Sequence, residues 1–338
     1  MKINFCTLFD YNYIERGLTL YYSLMKVCSD FTLYIICFDD KCYHTLNNLC
    51  LENLVLIEYS SFEDDTLRIA KSNRKTREFL WTCSSFEIKY ILEKYNVDHV
   101  TYIDADLYFY SDPSNIIETF LKSDNDVSLI SHRYSNHYEN KYFEKKCGKY
   151  CVEFDSFKNN ENGRCILNWW CQKCFEKCPD KPSKEAFGDQ KYLDYFEKNF
   201  KGVNIYEDFG LGIAPWNIDD FKYVTNRKIE NIQNRNTGDL VFYHFHSLAL
   251  FENYANINVF VRPGKKDEKL VNVLYKSYLN EIKNTLFILN KSIQKAETKN
   301  NNILSRTISY IFEEKDLIIA VRKLYRLIFF RKKDIIYY

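Results

Sequence analysis

The chain has 338 residues, of which 46% are hydrophobic and 17% aromatic, enough for one large α/β domain with an appendage or for two smaller domains. Its 47 basic and 46 acidic side chains leave a formal net charge of +1, so the overall charge attracts neither nucleic acid nor acidic ligands. This balance excludes nucleic-acid binding that is driven by a general excess of basic residues.

Two further features concern the cellular location. The 12 cysteines are compatible with a disulfide framework, but the chain goes directly into a strand pattern and lacks the apolar run of a secretory signal. We therefore expect reduced, mostly buried thiols in a cytoplasmic protein. No stretch is apolar enough for a membrane-spanning helix, because Arg322, Lys323 and Arg326 interrupt the candidate near the C-terminus.

The first half of the chain alternates between strand and helix patterns. Strands are predicted over residues 3–9, 31–38 and 54–59, and helices over residues 14–27, 43–51 and 84–95. This alternation predicts a parallel sheet with helices on its faces. Ligands of such sheets bind beyond the carboxyl ends of the strands, so Asp10, Asp39 and the pair Asp104 and Asp106 are expected to face one crevice.

The aspartate pair lies in the segment VDHVTYIDADLYFYSDP, residues 97–113. Strand-forming residues come directly before Asp104 and Asp106, and aromatic residues follow them. Side chains at positions i and i+2 of an extended backbone point the same way, so two carboxylates can converge on one hard cation. The alternative is a solvated turn in which the aspartates cap the next helix; the flanking strand favours the metal site.

The middle of the chain begins with a predicted helix over residues 113–121 and a strand over 127–130. This strand leads to His132 and Arg133, which by topology lie on the same rim as the aspartates. They are interpreted either as ligands of phosphate or acceptor hydroxyls, or as a surface pair beside a mobile loop. Residues 134–163 are irregular apart from a strand-like run around Glu153 and Asp155, and are interpreted as a substrate-shaping insertion. The elements predicted after it are a helix over 165–178, a helix opening near 187, a strand over 203–206 and a last strand over 241–247 that carries His244 and His246.

From about residue 265 the composition shifts to Lys, Asn, Leu and Ile. We predict a catalytic domain over residues 1–264 and a helical extension over 265–338, with helices at 269–289 and 303–330 and a polar link at 295–302. Residues 317–333 contain six basic side chains and no acidic one among apolar residues, the pattern of a helix that lies on an anionic membrane surface. The alternative is a C-terminal helix packed on its own domain with a basic outer face.

Four segments in a fixed order resemble one enzyme class. They are TYIDADLYFYSDP, FGDQKYLD, GLGIAPWN and YHFHSL, and the resemblance covers about residues 3 to 250. This pattern is similar to that of the metal-dependent GT-A glycosyltransferases, in particular the bacterial lipopolysaccharide and capsule glycosyltransferases related to glycosyltransferase family eight. The resemblance implies a GT-A fold, a Rossmann-like α/β sheet flanked by helices.

The resemblance also implies roles for individual residues. Asp104 and Asp106 would hold Mn²⁺ or Mg²⁺ against the diphosphate of the donor, with His244 as third ligand and His246 as the alternative. Gln190 would lie near the anomeric carbon, and Asp189 would bond sugar hydroxyls. The residues expected to bind the donor, including those assigned by topology, are Thr7, Leu8, Asp10, Tyr13, Asp104, Ala105, Asp106, His132 and Arg133.

The chain departs from this family pattern at three places. The late histidine motif of the family usually contains a glycine and a basic residue further on, but here Ser247 and residues 248–250 follow, so a lysine contact to the diphosphate cannot be carried over to this loop. Glu87 stands where many relatives have a basic residue, so Lys75, Arg77 or Arg133 would supply the positive charge instead. Glu153 and Asp155 lie in a strand-like run that diverges from the family, and acceptor contacts cannot be carried over to it.

The function implied is transfer of a sugar, of the hexosyltransferase type, from a nucleotide-diphosphate donor, with UDP-sugars favoured. The acceptor would be a saccharide or a lipid-linked saccharide in surface polysaccharide or lipopolysaccharide synthesis, at the inner face of the membrane, with no nucleic-acid partner. Two alternatives remain. One is a sugar-nucleotide nucleotidyltransferase, which ranks lower because residues 3–16 contain no glycine-rich phosphate loop; the other is a non-catalytic carbohydrate-binding protein of the same fold.

Overall fold

The computed structural model describes residues 1–293, 319, 321–322, 325, 329 and 332–337. The chain divides into two compact units. The first consists of residues 1–133, 142–212 and 239–244, and the second of residues 134–141, 213–238 and 245–338. Whether residues 1–264 form a separate catalytic domain stays a prediction.

The regular elements follow one another along the chain without long gaps. The strands are β1 (Ile3–Phe9), β2 (Phe31–Cys37), β3 (Leu54–Glu58), β4 (His99–Ile103), β5 (Leu107–Phe109), β6 (Val127–Ser131), β7 (Tyr150–Lys158), β8 (Val203–Tyr206), β9 (Phe221–Thr225), β10 (Lys228–Asn231), β11 (Thr237–Asp239), β12 (Phe242–His244), β13 (Ala249–Leu250), β14 (Tyr254–Asn256) and β15 (Ile335–Tyr337). The helices are α1 (Ile14–Val27), α2 (Asp40–Asn48), α3 (Tyr59–Phe62), α4 (Asp65–Ser72), α5 (Thr76–Tyr95), α6 (Ser114–Lys122), α7 (Tyr138–Cys147), α8 (Glu161–Glu176), α9 (Phe196–Asn199) and α10 (Glu268–Ile288).

A seven-stranded sheet forms the centre of the first unit. Its strands lie in the order β3-β2-β1-β4-β7-β6-β8. All of them run in one direction except β7, which is antiparallel to both of its neighbours. Every residue of β2 and β4 is buried, as expected for central strands covered on both faces. The prediction of an α/β fold with a mainly parallel sheet flanked by helices is confirmed.

The core of the first unit joins the sheet to α5 and α8. Trp170 of α8 is fully buried and stacks on Phe157 of β7, with ring centroids 5.9 Å apart and an interplanar angle of 9°. Its indole Nε1 donates a hydrogen bond to the backbone carbonyl of Asp189 at 3.0 Å. One aromatic side chain therefore connects a helix, the middle of the sheet and a loop that carries a predicted site residue.

The interpretation of residues 134–163 as an irregular insertion is wrong. The structure forms α7 there, followed by β7, which is inserted between β4 and β6 in the middle of the sheet. The sequence of β7, YCVEFDSFK, contains two acidic residues, which on a pattern basis indicate exposure. Glu153 and Asp155 are instead fully buried, so the acidic residues did not indicate the central position of this strand in the sheet.

Several boundaries also differ from the predictions. Helix α5 begins at Thr76, eight residues before the predicted start, where Glu78 Oε2 accepts the backbone N–H of Lys75 at 3.1 Å. The helix predicted near residue 187 is a 3₁₀ turn over Gln190–Tyr195 that continues into the short α9. All twelve cysteines are free thiols and nine are buried, which confirms the prediction of mostly buried thiols.

The second unit has its own strands and one long helix. Strands β9, β10 and β11 form one small sheet, and β13, β14 and β15 form another. The ring of Phe245 stacks on Tyr278 of α10 at a centroid distance of 3.8 Å. Helix α10 matches the predicted helix at 269–289 to within a residue. The predicted link at 295–302 and most of the predicted helix at 303–330 lie outside the described residues.

Among the residues that the structure describes, no helix combines the length and the apolar character needed to cross a bilayer.

Candidate active site

Asp104, Asp106 and His244 converge at the end of β4. Strand β5 begins directly after the aspartates and pairs antiparallel with β12, placing His244 opposite Leu107. In this register the imidazole Nε2 lies 3.1 Å from Asp106 Oδ1 and 3.7 Å from Asp104 Oδ2. Two segments about 140 residues apart in the chain are thus joined by a short β-ladder.

Each aspartate has one oxygen held by a tyrosine and the other directed at the imidazole. Tyr102 donates its hydroxyl to Asp104 Oδ1 at 2.9 Å, and Tyr13 donates its hydroxyl to Asp106 Oδ2 at 2.9 Å. The oxygens that face His244 are Asp104 Oδ2 and Asp106 Oδ1. The tyrosines therefore fix the carboxylates so that one oxygen of each points to a common position with Nε2.

This donor set fits a divalent cation. One ligand atom from each of Asp104, Asp106 and His244 lies within 4.8 Å of the other two. Two carboxylate oxygens and one imidazole nitrogen suit Mn²⁺, and Mg²⁺ by its oxygen preference. The side chains of Asp104 and Asp106 remain 28% and 13% exposed, so the position is open to a ligand from solvent. The identity of the ion stays a prediction.

The electrostatics of the cluster also favour a cation. Burial raises the pKa of Asp104 to about 8, an effect that His244 opposes and Asp106 reinforces. Burial lowers the pKa of His244, but Asp106 and Glu153 outweigh it and raise that pKa well above its ordinary value. The carboxyl groups of Asp104, Asp106 and Glu153 therefore repel one another when ionised, and one imidazole does not balance their negative charge. A bound divalent cation would relieve this repulsion.

Glu153 is a member of this cluster that the sequence did not assign to the site. It lies on β7, is fully buried, and its Oε2 is hydrogen-bonded to Nδ1 of His244. Its backbone carbonyl accepts the amide N–H of Asp104 at 3.2 Å. The available signal in the sequence was an acidic residue inside an otherwise apolar and aromatic strand pattern.

Asp189 and Gln190 lie at the start of the 3₁₀ turn. Asp189 is 4% exposed, and burial raises its pKa to about 7, partly offset by a hydrogen bond from Ser84. Its Oδ2 has no hydrogen-bond partner among the described residues. Gln190 Nε2 donates to the carbonyl of Cys147 at 2.8 Å. Burial raises the pKa of Tyr102, the tyrosine that holds Asp104, and the charges of Asp104, Glu87 and Asp189 raise it further.

The loop after β1 connects the predicted donor-binding residues with the aspartates. Asp10 caps the 3₁₀ turn Tyr11–Tyr13 by accepting the N–H of Asn12 at 3.0 Å, and Tyr13 reaches Asp106. Thr7 is fully buried, and its hydroxyl has no hydrogen-bond partner among the described residues. Leu8 is partly buried next to it in β1, and Ala105, between the two aspartates, is buried.

His132 and Arg133 follow β6 and are both held by backbone carbonyls. His132 Nδ1 lies 3.3 Å from the carbonyl of Lys149, and burial lowers the pKa of its imidazole to about 4. Arg133 has a left-handed backbone with φ of 46° and donates Nη1 to the carbonyl of Asp208 at 3.1 Å. Its Nε and Nη2 are buried without a hydrogen-bond partner in the described part of the chain. A strained arginine with two unpaired donors is typical of a ligand-binding position.

His246 belongs to the second unit, where it is exposed and its ring lies 5.5 Å from that of Trp216. The two clusters of metal-ligating side chains found among the described residues both contain His244, and neither contains His246. Its role as the alternative third ligand stays a prediction.

No protein-family model matches the chain. Two proteins of Bacillus subtilis (strain 168) are similar to it in sequence. The uncharacterized protein YfnF is 28% identical over 308 residues, which span 89% of this chain and all of YfnF. The uncharacterized protein YfnD is 28% identical over 284 residues, which span 83% of this chain and 88% of YfnD.

Solved structures with a similar fold include three glycosyltransferases. GlyE of Streptococcus pneumoniae TIGR4 has a TM-score of 0.40 and 17% identity over 62% of this chain and 46% of its own, so this chain spans about half the length of GlyE. Mouse xyloside xylosyltransferase 1 has a TM-score of 0.46 and 8% identity, covering 73% of this chain and 98% of its own. The galactosyltransferase LgtC has a TM-score of 0.42 and 11% identity, covering 72% of this chain and 87% of its own.

Proposed function

We propose that the chain is a metal-dependent GT-A glycosyltransferase of the hexosyltransferase type. It would move a sugar from a nucleotide-diphosphate donor, with UDP-sugars favoured, to a saccharide or lipid-linked acceptor in surface polysaccharide or lipopolysaccharide synthesis. The observation that carries this proposal is the convergence of Asp104, Asp106 and His244 Nε2 on one position, with a tyrosine hydroxyl holding each carboxylate.

The leaving group of such a reaction is a nucleoside diphosphate, which needs compensation of its developing negative charge. Mn²⁺ or Mg²⁺, when bound, supplies this as a Lewis acid. Asp104, Asp106 and His244 would hold the ion. Arg133 would add direct hydrogen bonds, because its Nε and Nη2 are buried donors without a hydrogen-bond partner in the described residues.

The nucleotide would lie along the loop after β1. Thr7 and Leu8 lie near the end of β1, and Asp10 and Tyr13 follow in this loop, which reaches the metal position through the hydrogen bond from Tyr13 to Asp106. Thr7 is fully buried, and its hydroxyl has no hydrogen-bond partner among the described residues. Ala105 and His132 complete the proposed donor contacts. Ala105 lies between the two metal-binding aspartates, and His132 directly precedes Arg133.

Asp189 and Gln190 are the residues proposed to act on the sugar. Asp189 Oδ2 has no hydrogen-bond partner among the described residues and can accept a hydrogen bond from a sugar hydroxyl. Gln190 is oriented by its bond to the Cys147 carbonyl, which leaves the carbonyl end of its amide directed away from that contact. In the reaction the bond between the anomeric carbon and the diphosphate oxygen breaks, the acceptor oxygen bonds to the anomeric carbon, and the acceptor proton is released.

A donor screen tests this proposal. The purified chain is incubated with Mn²⁺ and a panel of UDP- and GDP-sugars, with and without saccharide acceptors, and the nucleotide released is measured. We expect release of UDP from at least one donor. A nucleotidyltransferase would instead release pyrophosphate from a nucleoside triphosphate and a sugar 1-phosphate, and a carbohydrate-binding protein would release neither product. Either of those results contradicts the proposal.

The C-terminal segment favours a position at an anionic membrane surface. Val321, Tyr325 and Phe329 follow one another at helical spacing and are 57%, 56% and 63% exposed. They lie in the stretch 317–333, which has six basic residues and no acidic one. Exposed apolar side chains within a basic stretch of sequence suit the interface of a bilayer that contains anionic lipid.

Vesicle sedimentation tests this membrane contact. The full chain is expected to sediment with phosphatidylglycerol-containing vesicles and to remain in solution with pure phosphatidylcholine. Exchanging Tyr325 and Phe329 for serine should weaken sedimentation, whereas the exposed Ile69 of the first unit provides a control position for the same exchange. Equal sedimentation of both variants, or none of the unmodified chain, would exclude the contact.

A further inference from the structure

Glu153 is a buried acidic residue whose presence the fold alone does not explain. It lies in the middle of β7, a central strand, and has no exposed surface. Its Oε1 has no hydrogen-bond partner among the described residues. A buried carboxyl group with an incomplete set of partners destabilises a fold relative to an apolar side chain of similar shape. A role outside the packing of the core is therefore the better explanation.

The contacts of Glu153 lead to two of the three proposed metal ligands. Its side-chain Oε2 is hydrogen-bonded to Nδ1 of His244, and its backbone carbonyl accepts the N–H of Asp104 at 3.2 Å. The second nitrogen of the same imidazole, Nε2, faces Asp106 Oδ1 at 3.1 Å. The imidazole is thus held between Glu153 on one side and the aspartate pair on the other.

This arrangement fixes which ring nitrogen is free for a cation. A histidine that binds a cation is neutral and carries one N–H, which the carboxylate at Nδ1 accepts, so the lone pair lies on Nε2. Carboxylate partners of this kind orient metal-binding histidines and make them better ligands. Without the carboxylate, the proton can move to Nε2 and the ring can rotate.

The surroundings of Glu153 keep its side chain in this position. Gly212 lies next to it with a φ of 62°, and a Cβ at Gly212 would lie 2.9 Å from Ile130 Cδ1 and 3.4 Å from Glu153 Oε1. The backbone of Gly212 therefore lies close to the carboxyl group of Glu153. The hydrogen bond to Nδ1 orients this carboxyl group toward His244.

We infer that Glu153 is a positioning residue for the metal site: it holds His244 through Nδ1 and so directs Nε2 to a divalent cation bound by Asp104 and Asp106. This inference rests on the proposed metal-dependent function. A different possibility is that Cys151, Glu153 and His244 bind a cation themselves, since their ligand atoms also lie within 4.8 Å of one another. Substitution of Cys151 distinguishes this second site from the first.

The test measures Mn²⁺ affinity directly, by the electron paramagnetic resonance signal of free Mn²⁺ in titrations of the purified full chain. Glu153→Met removes the hydrogen-bond acceptor at similar length, and Glu153→Gln keeps an acceptor but removes the charge. Loss of such a partner typically weakens metal binding about 10- to 100-fold. We expect this loss for Glu153→Met and a smaller one for Glu153→Gln. The unfolding temperatures of both variants should stay close to that of the unmodified chain, so that the loss of affinity does not reflect unfolding.

The matched control is Asp155→Asn. Asp155 lies two residues further along β7, is equally buried, and accepts the N–H of Ile130 at 3.1 Å through Oδ1. Asn keeps that acceptor, so Mn²⁺ affinity should equal that of the unmodified chain. An equal loss in Asp155→Asn would show that any change in β7 disturbs the site and would overturn the specific role of Glu153.

The remaining outcomes separate this inference from the function on which it rests. If the unmodified chain binds Mn²⁺ and Asp106→Asn does not, but both Glu153 variants bind it normally, the positioning role is wrong and the metal site stands. If the unmodified chain binds no Mn²⁺, both proposals fail. If Cys151→Ser weakens binding as much as Glu153→Met and Asp106→Asn leaves it unchanged, the cation lies at the second cluster and the inference is overturned.

Discussion

Asp189 should make the stability of the protein depend on pH in a direction opposite to that of an ordinary aspartate. Burial raises its pKa from the ordinary 3.8 to about 7. The folded chain therefore binds the proton more tightly than the unfolded chain does. The stability associated with this residue is fully present below pH 4 and declines as the pH rises from about 4 to about 7. Asp189→Asn removes the titrating group at nearly constant shape.

The size of the effect follows from the two pKa values. With 3.8 in the unfolded chain and about 7 in the folded one, linkage gives a loss of roughly 2–3 kcal/mol between pH 5 and pH 8. Between pH 5 and pH 8, the free energy of unfolding of the Asn variant should therefore rise by that amount relative to that of the unmodified chain. The other titrating groups cancel, because they occur in both proteins.

Urea denaturation followed by tryptophan fluorescence, at pH 5 and pH 8 in the presence of EDTA, measures this shift. Asp180→Asn is the control: Lys75 lowers the pKa of Asp180 below its ordinary 3.8, so this residue stays ionised between pH 5 and pH 8 and its removal should leave the pH dependence over that range unchanged. A difference between Asp189→Asn and the unmodified chain that is the same at both pH values would refute the reasoning. It would mean that Asp189 ionises near its ordinary pKa despite its burial.

Three further substitutions test the packing and the site. Trp170→Ala removes a fully buried indole and should lower the free energy of unfolding by about 3–5 kcal/mol in urea denaturation, with a loss below 1 kcal/mol contradicting its place in the core. Gly264→Ala should cost about 1–3 kcal/mol, because φ is 88° and the added Cβ would overlap the carboxylate of Asp219; an unchanged urea midpoint would exclude this conformation. Tyr13→Phe deletes the hydrogen bond to Asp106 and should weaken Mn²⁺ binding about fivefold, the equivalent of roughly 1 kcal/mol, in the same paramagnetic titration. Unchanged affinity would show that Tyr13 does not hold the carboxylate.

The strands of the first half were predictable because local pattern and burial agree there. Strand β1 was predicted over its exact range, and β2 and β3 to within a residue, since each is an apolar run bounded by polar turns. Strand β7 was not predictable in this way. Its buried Glu153 and Asp155 have partners on distant segments, His244 and Ile130, and a local pattern contains no information about them.

The candidate site was likewise predictable only where a local pattern indicates it. The i, i+2 spacing of Asp104 and Asp106 after a strand predicts that the carboxylates face one side, and the late histidine motif supplied His244. The ladder between β5 and β12 that brings them together is a long-range pairing. The hydrogen bonds of Tyr13 and Tyr102, and the contact of Gln190 with Cys147, depend on side-chain geometry that appears only in three dimensions.

The measurement that tests the central claim most directly is Mn²⁺-dependent release of nucleotide from the best donor by the unmodified chain and by Asp106→Asn. Asp106 supplies the oxygen nearest to His244 Nε2, at 3.1 Å, so its amide should abolish cation binding with the fold intact. We expect nucleotide release by the unmodified chain to stop with EDTA and to return with Mn²⁺. The rate of release by the variant should be lower by about 100-fold or more. Full activity of the unmodified chain in EDTA, or of the Asn variant with Mn²⁺, would contradict the account.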